Sequence, residues 1–427
     1  MVVGSGAVIE VVGVGAGGLS SLGELERTLI AAAEVVVGGE RHLGMLEPAS
    51  GRDLVTWPVP LKPALPSLVA SWGERRVVVL ASGDPLVSGI GSNLIELVGA
   101  ARVRVHPGVS SAALARARMG WSAEASAVVT LVGRDVDRLR RDLSPRARLV
   151  VLMAGERGPV EVAALLVDEG YGASCVTVLG DLGSEDESRI DGVARSWDGR
   201  LTPRLYVVAV ECRHDGGEQV GRSLVPGLAD DAFEHDGQLT KRLVRAAALA
   251  HLAPQPGDVM WDLGAGAGSV GIEFARQHPR NRVYAVERDP TRADRVRRNA
   301  RALGVPGLRI FEGSSADRLP ELPTPDAVFI GGGATASVVE MAWQALSPGG
   351  RLVVHGVTVE TEQVLLAARL THGGALSRIS VDDLEPIGSF TGWKPARAVV
   401  QWSVSKPVAQ TNSAEREDNA EPEDKDG

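Results

Sequence analysis

Trp261-Asp262-Leu263-Gly264-Ala265-Gly266-Ala267-Gly268 follows the apolar run Val259–Leu263 and precedes a stretch with helical spacing. A strand that ends in closely spaced glycines before a helix brings backbone to a ligand where any Cβ would collide. Nucleotide sites and plain tight turns share the triplet, so the flanking sequence has to decide. Val283–Val286 is a second strand, closed by Glu287, 23 positions after Gly264. An acid at that place can accept hydrogen bonds from both hydroxyls of a ribose. Leu308–Phe311 runs into Glu312-Gly313-Ser314-Ser315, whose hydroxyls could bracket an adenine edge. Ala327–Ile330 ends in Gly331-Gly332-Gly333, and Ser347-Pro348-Gly349-Gly350 turns into a strand at Leu352–Val354. Strands alternating with helices imply a mainly parallel, doubly wound sheet. Leu376–Val381 and Ala398–Val404 suit an antiparallel hairpin on its edge, and Thr240 suits the N-cap of a helix reaching about Leu252.

A second glycine loop lies near the start. Val8–Val12 leads into Gly13-Val14-Gly15-Ala16-Gly17-Gly18. It matches the dinucleotide spacing, but no acid closes the next strand, Val35–Val37: Glu34 precedes it and Glu40 follows two more glycines. Val77–Leu80 runs into Ala81-Ser82-Gly83-Asp84-Pro85, and Val103–Val105 is followed by Pro107-Gly108-Val109-Ser110-Ser111. Alone, Asp84 reads equally well as a turn residue before proline. Further strands are expected at Val128–Leu131, Leu149–Leu152, Cys175–Leu179 and Leu205–Val210.

With 427 residues, two domains are the first expectation. Residues 213–223, polar and glycine-rich, read as a linker between domains at 1–212 and 224–407, and 408–427 reads as a disordered acidic tail. Between Glu415 and Asp426 seven acids face two bases, a net of −5 out of the chain's −9. A folded body near −4, with aromatics at 4%, argues against a nucleic-acid partner. Cys175 and Cys212 are the only cysteines, too few and too far apart for a disulfide framework or a zinc site, so no metal is expected. No apolar run reaches the roughly 18 residues of a membrane span, and the chain reads as cytoplasmic.

The D-x-G-x-G-x-G loop at Asp262, the acid ending the second strand and the S-P-G-G turn resemble the class I S-adenosylmethionine-dependent methyltransferases. The G-D-P at Gly83 with the later P-G-V-S-S resembles the class III tetrapyrrole methylases, which bind the same cofactor between two small α/β lobes. The fold expected is therefore α/β: an N-terminal two-lobed class III domain and a C-terminal doubly wound, Rossmann-like class I domain. The fusion, with Leu228–Lys241 (LADDAFEHDGQLTK), Phe329–Gly333 and Ser389–Pro395 (SFTGWKP), is similar to the decarboxylating precorrin-6Y C5,15-methyltransferase family of cobalamin biosynthesis. The similarity covers about Val8 to Pro407.

The resemblance implies methylation of C-5 and C-15 of a reduced precorrin-6, loss of carbon dioxide from the C-12 acetate, and one S-adenosylmethionine per domain. It also implies a homo-oligomer. Carried over, Gly13, Gly15, Gly17, Asp84, Ser110 and Ser111 would line the first cofactor site. Thr240, Gly264, Ala265, Gly266, Ala267, Gly268, Glu287 and Ser315 would line the second. A general acid near the C-12 arm would assist decarboxylation, and Glu234, His235 and Asp236 are the local candidates; the plainer reading is that they flank a helix start. Gly331, Gly332 and Gly333 would let a flat macrocycle approach backbone. Arg134, Lys394 and Arg397 would meet its carboxylates, or else are solvated surface charges. Two rivals remain: a two-domain NAD(P)-dependent oxidoreductase, motivated by the two loops, and a non-catalytic cofactor-binding regulator.

Overall fold

The computed structural model describes residues 7–47, 51–199, 203–216 and 222–408, and the acidic stretch from 409 lies outside them. The chain divides into two compact units, Met1–Gly221 and Arg222–Gly427.

The first unit holds two five-stranded sheets. In the first, β1 (Ile9–Val14), β2 (Val35–Gly38), β3 (Asp53–Thr56), β4 (Val77–Ser82) and β5 (Val103–His106) lie in the order β3-β2-β4-β1-β5, all parallel. The helices are α1 (Glu24–Ala32), α2 (Glu40–Leu43), α3 (Leu61–Ser71) and α4 (Ile90–Val98). Near-continuous valine is what a strand covered on both faces requires. Val77 and Val79 enter one apolar cluster with Leu65 and Trp72, while Val78 and Leu80 enter another with Ile30 and Leu43.

After α5 (Ser111–Met119) comes the second sheet: β6 (Ala127–Thr130), β7 (Arg148–Leu152), α6 (Gly158–Asp168), β8 (Cys175–Gly180), β9 (Ser188–Val193) and β10 (Tyr206–Glu211), ordered β6-β7-β10-β8-β9. Here β10 runs antiparallel to β7 and β8, so this lobe is mixed. Leu149 and Val151 face one cluster, and Val150 and Leu152 the other. Both cysteines are free thiols; burial pushes Cys212 up to about 12.

The second unit has a seven-stranded sheet and a two-stranded ribbon. Its elements in chain order are α7 (Arg242–Leu252), β11 (Val259–Leu263), α8 (Ser269–Gln277), β12 (Arg282–Glu287), α9 (Pro290–Ala302), β13 (Arg309–Glu312), α10 (Ser315–Arg318), β14 (Ala327–Ile330), α11 (Ala336–Ala345), β15 (Arg351–Gly356), α12 (Val359–His372), β16 (Ala375–Ile379), β17 (Asp382–Ile387), β18 (Phe390–Pro395) and β19 (Val399–Ser405). The sheet order is β13-β12-β11-β14-β15-β19-β16, with β11 to β15 parallel and β19 antiparallel to both neighbours. The strand order reverses between β11 and β14, the switch point where open α/β sheets bind ligands at the carboxyl ends of their strands.

Several local expectations are corrected. Thr240 is not the N-cap of α7; extended Lys241 holds that place, and the Thr240 carbonyl accepts from the Arg245 guanidinium instead. The late strands pair as expected, but not as an edge hairpin. The ribbon β17–β18 intervenes, and β19 lies between β15 and β16. Residues 213–215, expected in a linker, are held by the first unit. Arg213 N–H donates to Ser174 Oγ, and Asp215 accepts from the backbone of Gly172 and Ala173. Strands β3 and β9 went unforeseen because both are sheet edges with little buried surface, so their sequences lack an apolar run.

Candidate functional site

In the first unit three loops converge at the carboxyl ends of β1, β4 and β5. Gly83 N–H donates to Val14 O, and Gly108 N–H to Gly83 O. A Cβ on Gly13 would lie 1.9 Å from Gly83 O and 2.5 Å from Gly108 N, so nothing larger than glycine fits the crossing. Gly15 has room for a Cβ, whose nearest neighbour would be 3.6 Å away, while one on Gly17 would lie a tight 3.1 Å from the Gly183 carbonyl oxygen. Asp84 Oδ1 accepts from Leu86 N–H, the turn-residue role. Ser110 caps α5, its Oγ accepting from Ala113 N–H, and Ser111 opens that helix. Arg134 is exposed in the loop after β6.

In the second unit a cavity of about 1290 Å³ opens at the switch point. Gly264, at φ +68°, and Gly332 stand back to back: a Cβ on Gly264 would lie 2.5 Å from Gly332 O. The ends of β11 and β14 thus meet as bare backbone. Glu287, buried at the end of β12, braces the glycine loop, with Oε2 accepting from Gly266 N–H at 2.8 Å and Oε1 from Asp289 N–H at 3.0 Å. Asp262 is fully enclosed. Its Oδ2 accepts from Gly271 N–H, and Oδ1 has no partner among the described residues. Burial, and secondarily the Glu287 charge, push its carboxyl up to about 7 against the pull of that hydrogen bond. It organises the loop.

Of the expected cofactor residues, Thr240, Gly264, Ala265, Gly266, Glu287 and Ser315 line the cavity. Ala267 and Gly268 are not in its wall; the Ala267 carbonyl accepts from Asn299 Nδ2. Gly331, Gly332, Gly333 and Arg397 line it too, whereas Lys394 sits on β18 paired with Glu385 at 2.7 Å.

The three acid–base candidates are placed elsewhere. Glu234 binds Arg298 through both carboxylate oxygens. Asp236 pairs with Arg292 and Arg295, which hold its carboxyl well below the usual range. His235 is exposed, its Nδ1 accepting from Gly237 N–H. None of the three is in the cavity wall, although Asp230 before them and Gly237 after them are. Arg292, Arg295 and Arg298, three residues apart along α9, form a basic stripe that claims both acids, a signal readable in the sequence. His355 was missed: it lines the cavity from the end of β15 and is 7% exposed.

These residues fit S-adenosylmethionine. A ribose diol has hydroxyls to donate to the Glu287 carboxylate, and a sulfonium ligand needs no phosphate cradle. In the Glu287→Gln variant the carboxylate becomes an amide whose NH₂ must face one of the two backbone N–H groups. Hydrogen bonds to charged groups are worth about 1.5–3 kcal/mol, so cofactor affinity at this site should fall roughly 10- to 100-fold. Calorimetric titration should show the first unit's site unchanged.

Two sequence-family descriptions match: "Tetrapyrrole (Corrin/Porphyrin) Methylases" over residues 8–197 and "Precorrin methyltransferase domain" over residues 231–406. A curated protein of a Sinorhizobium species, named precorrin-6Y C(5,15)-methyltransferase [decarboxylating], is 42% identical over 399 residues, spanning 93% of this chain and 96% of that one. The cobalt-precorrin-6B C(15)-methyltransferase (decarboxylating) of Salmonella typhimurium is 34% identical over 38% of this chain and 85% of its own. The crystal structure of the C-terminal domain of precorrin-6Y C5,15-methyltransferase from Rhodobacter capsulatus is 39% identical, covering 43% of this chain and all of that one at a TM-score of 0.41.

Proposed function

The chain belongs to the decarboxylating precorrin-6Y C(5,15)-methyltransferase family, and from that premise we propose a division of labour between its units. The first methylates C-5 of a reduced precorrin-6. The second methylates C-15 and removes carbon dioxide from the C-12 acetate, yielding a precorrin-8. The Salmonella relative, whose name joins C(15) methylation to decarboxylation, has 85% of its length matched by 38% of this chain, which supports seating both reactions in one unit.

The observation that carries this reading is the second unit's cavity. Ligand pockets commonly span about 300–1,000 Å³, and about 1290 Å³ accommodates a cofactor with a macrocycle beside it. The cavity runs from the end of β12, where Glu287 and Ser315 suit ribose and adenine, past the glycine crossing to β15 and β19. There Gly331–Gly333, His355, Val399 and Arg397 suit a flat, carboxylate-fringed ring. Arg242, Arg288 and Arg397 line it with no ion pair among the described residues, and guanidinium forks suit carboxylates.

S-adenosylmethionine, when bound, supplies an electrophilic methyl group. The protein's own task is to hold the ring carbon in line and exclude water, since enamine-like ring carbons need positioning more than a strong base. None of the named relatives is an oxidoreductase. No described helix is long and apolar enough to cross a membrane; a cytoplasmic location and self-association belong to the proposal.

Mass spectrometry of reduced precorrin-6 incubated with the chain and S-adenosylmethionine should show two methyl groups gained and one carbon dioxide lost. An unchanged mass, with the cofactor demonstrably bound, would overturn the reading.

A further inference from the structure

We propose that His355 carries the proton exchanged during the second unit's decarboxylating methylation; this rests on the assignment of both reactions to that unit. His355 lies one residue beyond Val354, which pairs with Ile330 of β14, so it stands beside the glycine triplet that ends that strand. The ring lines the cavity and packs T-shaped with the Phe329 ring, centroids 4.9 Å apart and planes at 87°. On the neighbouring strand β19, in register with it, is Gln401, 2% exposed, whose Oε1 is 2.9 Å from Nε2.

An amide oxygen accepts, so the ring hydrogen sits on Nε2. Nδ1 keeps a lone pair and has no hydrogen-bond partner among the described residues. A hydrogen bond that fixes one nitrogen of an imidazole fixes the task of the other. Burial pushes this histidine down to about 4, which leaves it neutral at the outset, with that lone pair open.

The carboxylates of the cavity wall are differently placed. Glu287 holds two backbone N–H groups. Asp230 is paired with Lys241 and Arg245. Asp383 is exposed at the foot of the ribbon, where its protons exchange freely with water.

The chemistry asks for a carrier of this kind. At the acetate arm the CH₂–CO₂ bond breaks and carbon dioxide leaves. The freed electron pair passes through the conjugated ring into the new bond between C-15 and the methyl delivered from the sulfonium. C-15 then loses its hydrogen as a proton, and the C–H pair returns through the ring to the arm's carbon, which takes one proton to become methyl. One proton is released and one is consumed. A neutral, water-shielded base can take it from the first carbon and deliver it to the second with no external acid.

The test uses the full chain with S-adenosylmethionine and reduced precorrin-6 in D₂O, quenched within the first turnover. The new methyl group on C-12 should carry substrate-derived hydrogen, with well under one added deuterium per product. His355→Asn and His355→Ala should lower carbon dioxide release and C-15 methylation by about 100-fold or more, while second-site cofactor affinity stays within about threefold and C-5 methylation persists. Asp383→Asn should leave the deuterium content unchanged. A full solvent deuterium in the wild-type product would overturn the proposal without any variant having to fold. So would undiminished carbon dioxide release by His355→Ala, or a loss of cofactor binding as large as the loss of turnover. Wild-type chain that gains methyl groups but releases no carbon dioxide, or does neither, would remove the underlying assignment and the proton carrier with it.

Discussion

Gly13→Ala should reduce the number of S-adenosylmethionine molecules bound per chain from two to one, through a single added methyl group. The new Cβ would sit 1.9 Å from Gly83 O and 2.5 Å from Gly108 N, contacts that no side-chain rotation relieves because both partners are backbone. The β1 loop must move away from the other two, and the hydrogen bonds that register them, Gly83 N–H to Val14 O and Gly108 N–H to Gly83 O, go with it. Overpacking of a close-packed site costs typically about 1–3 kcal/mol, which a unit with two apolar-faced sheets can survive. Cofactor geometry tolerates less, because a displacement of about 1 Å at a reacting centre can cost about 100-fold in rate. Calorimetry gives the stoichiometry, and product mass gives the methyl count, expected to be one short. Two sites of unchanged affinity would show that the crossing does not form the first cradle.

Arg245→Met should lower the unfolding temperature of the second unit sharply and leave that of the first unmoved. Arg245 is fully buried. Its Nε donates to Glu273 Oε1 at 2.6 Å, its other nitrogens donate to Asp230, Thr240 O and Leu228 O, and its guanidinium lies 4.7 Å over the Phe233 ring. Glu273, 2% exposed, also accepts from the N–H groups of Gly227 and Leu228. Removing the cation leaves a buried carboxylate uncompensated, a change that costs about 3–5 kcal/mol. For a unit of this size that corresponds to roughly 10 °C. Scanning calorimetry should show the loss in one transition only. Pairing Arg245→Met with Glu273→Leu should recover part of the loss. Recovery stays incomplete because two backbone N–H groups lose their acceptor. The same contacts position Thr240 and Asp230 in the cavity wall, so cofactor affinity at the second site should weaken before the unit unfolds.

Much of the site was readable because its information is local. A glycine crossing and an acid at a strand end are spelled in consecutive residues, and Gly264, Gly266 and Glu287 meet in space as their spacing suggests. His355 carried no such mark. It is one polar residue at the end of an apolar strand, and its meaning comes from Gln401, 46 positions on, and from Phe329 on the adjacent strand. Glu234 and Asp236 misled for the converse reason. Acids before a helix near a ligand loop look available, and only the tertiary fold brings α9's arginines onto them. The sheets were legible where strands are buried on both faces and illegible at β3, β9 and the ribbon β17–β18, whose residues are largely exposed.

The place of β19 has a consequence for synthesis. Between β15 and β16 the sheet has a gap that Val399–Ser405 fills, and those residues leave the ribosome after every other described strand of the unit. Until then β15 and β16 present unpaired edges, and the pocket for Trp402, fully buried in the finished fold, has no occupant. The first unit can close while translation continues, whereas the second stays open, and liable to pair with foreign strands, until β19 arrives. His355 gains Gln401 in that same final act, so the proposed proton carrier is assembled only when the sheet is complete.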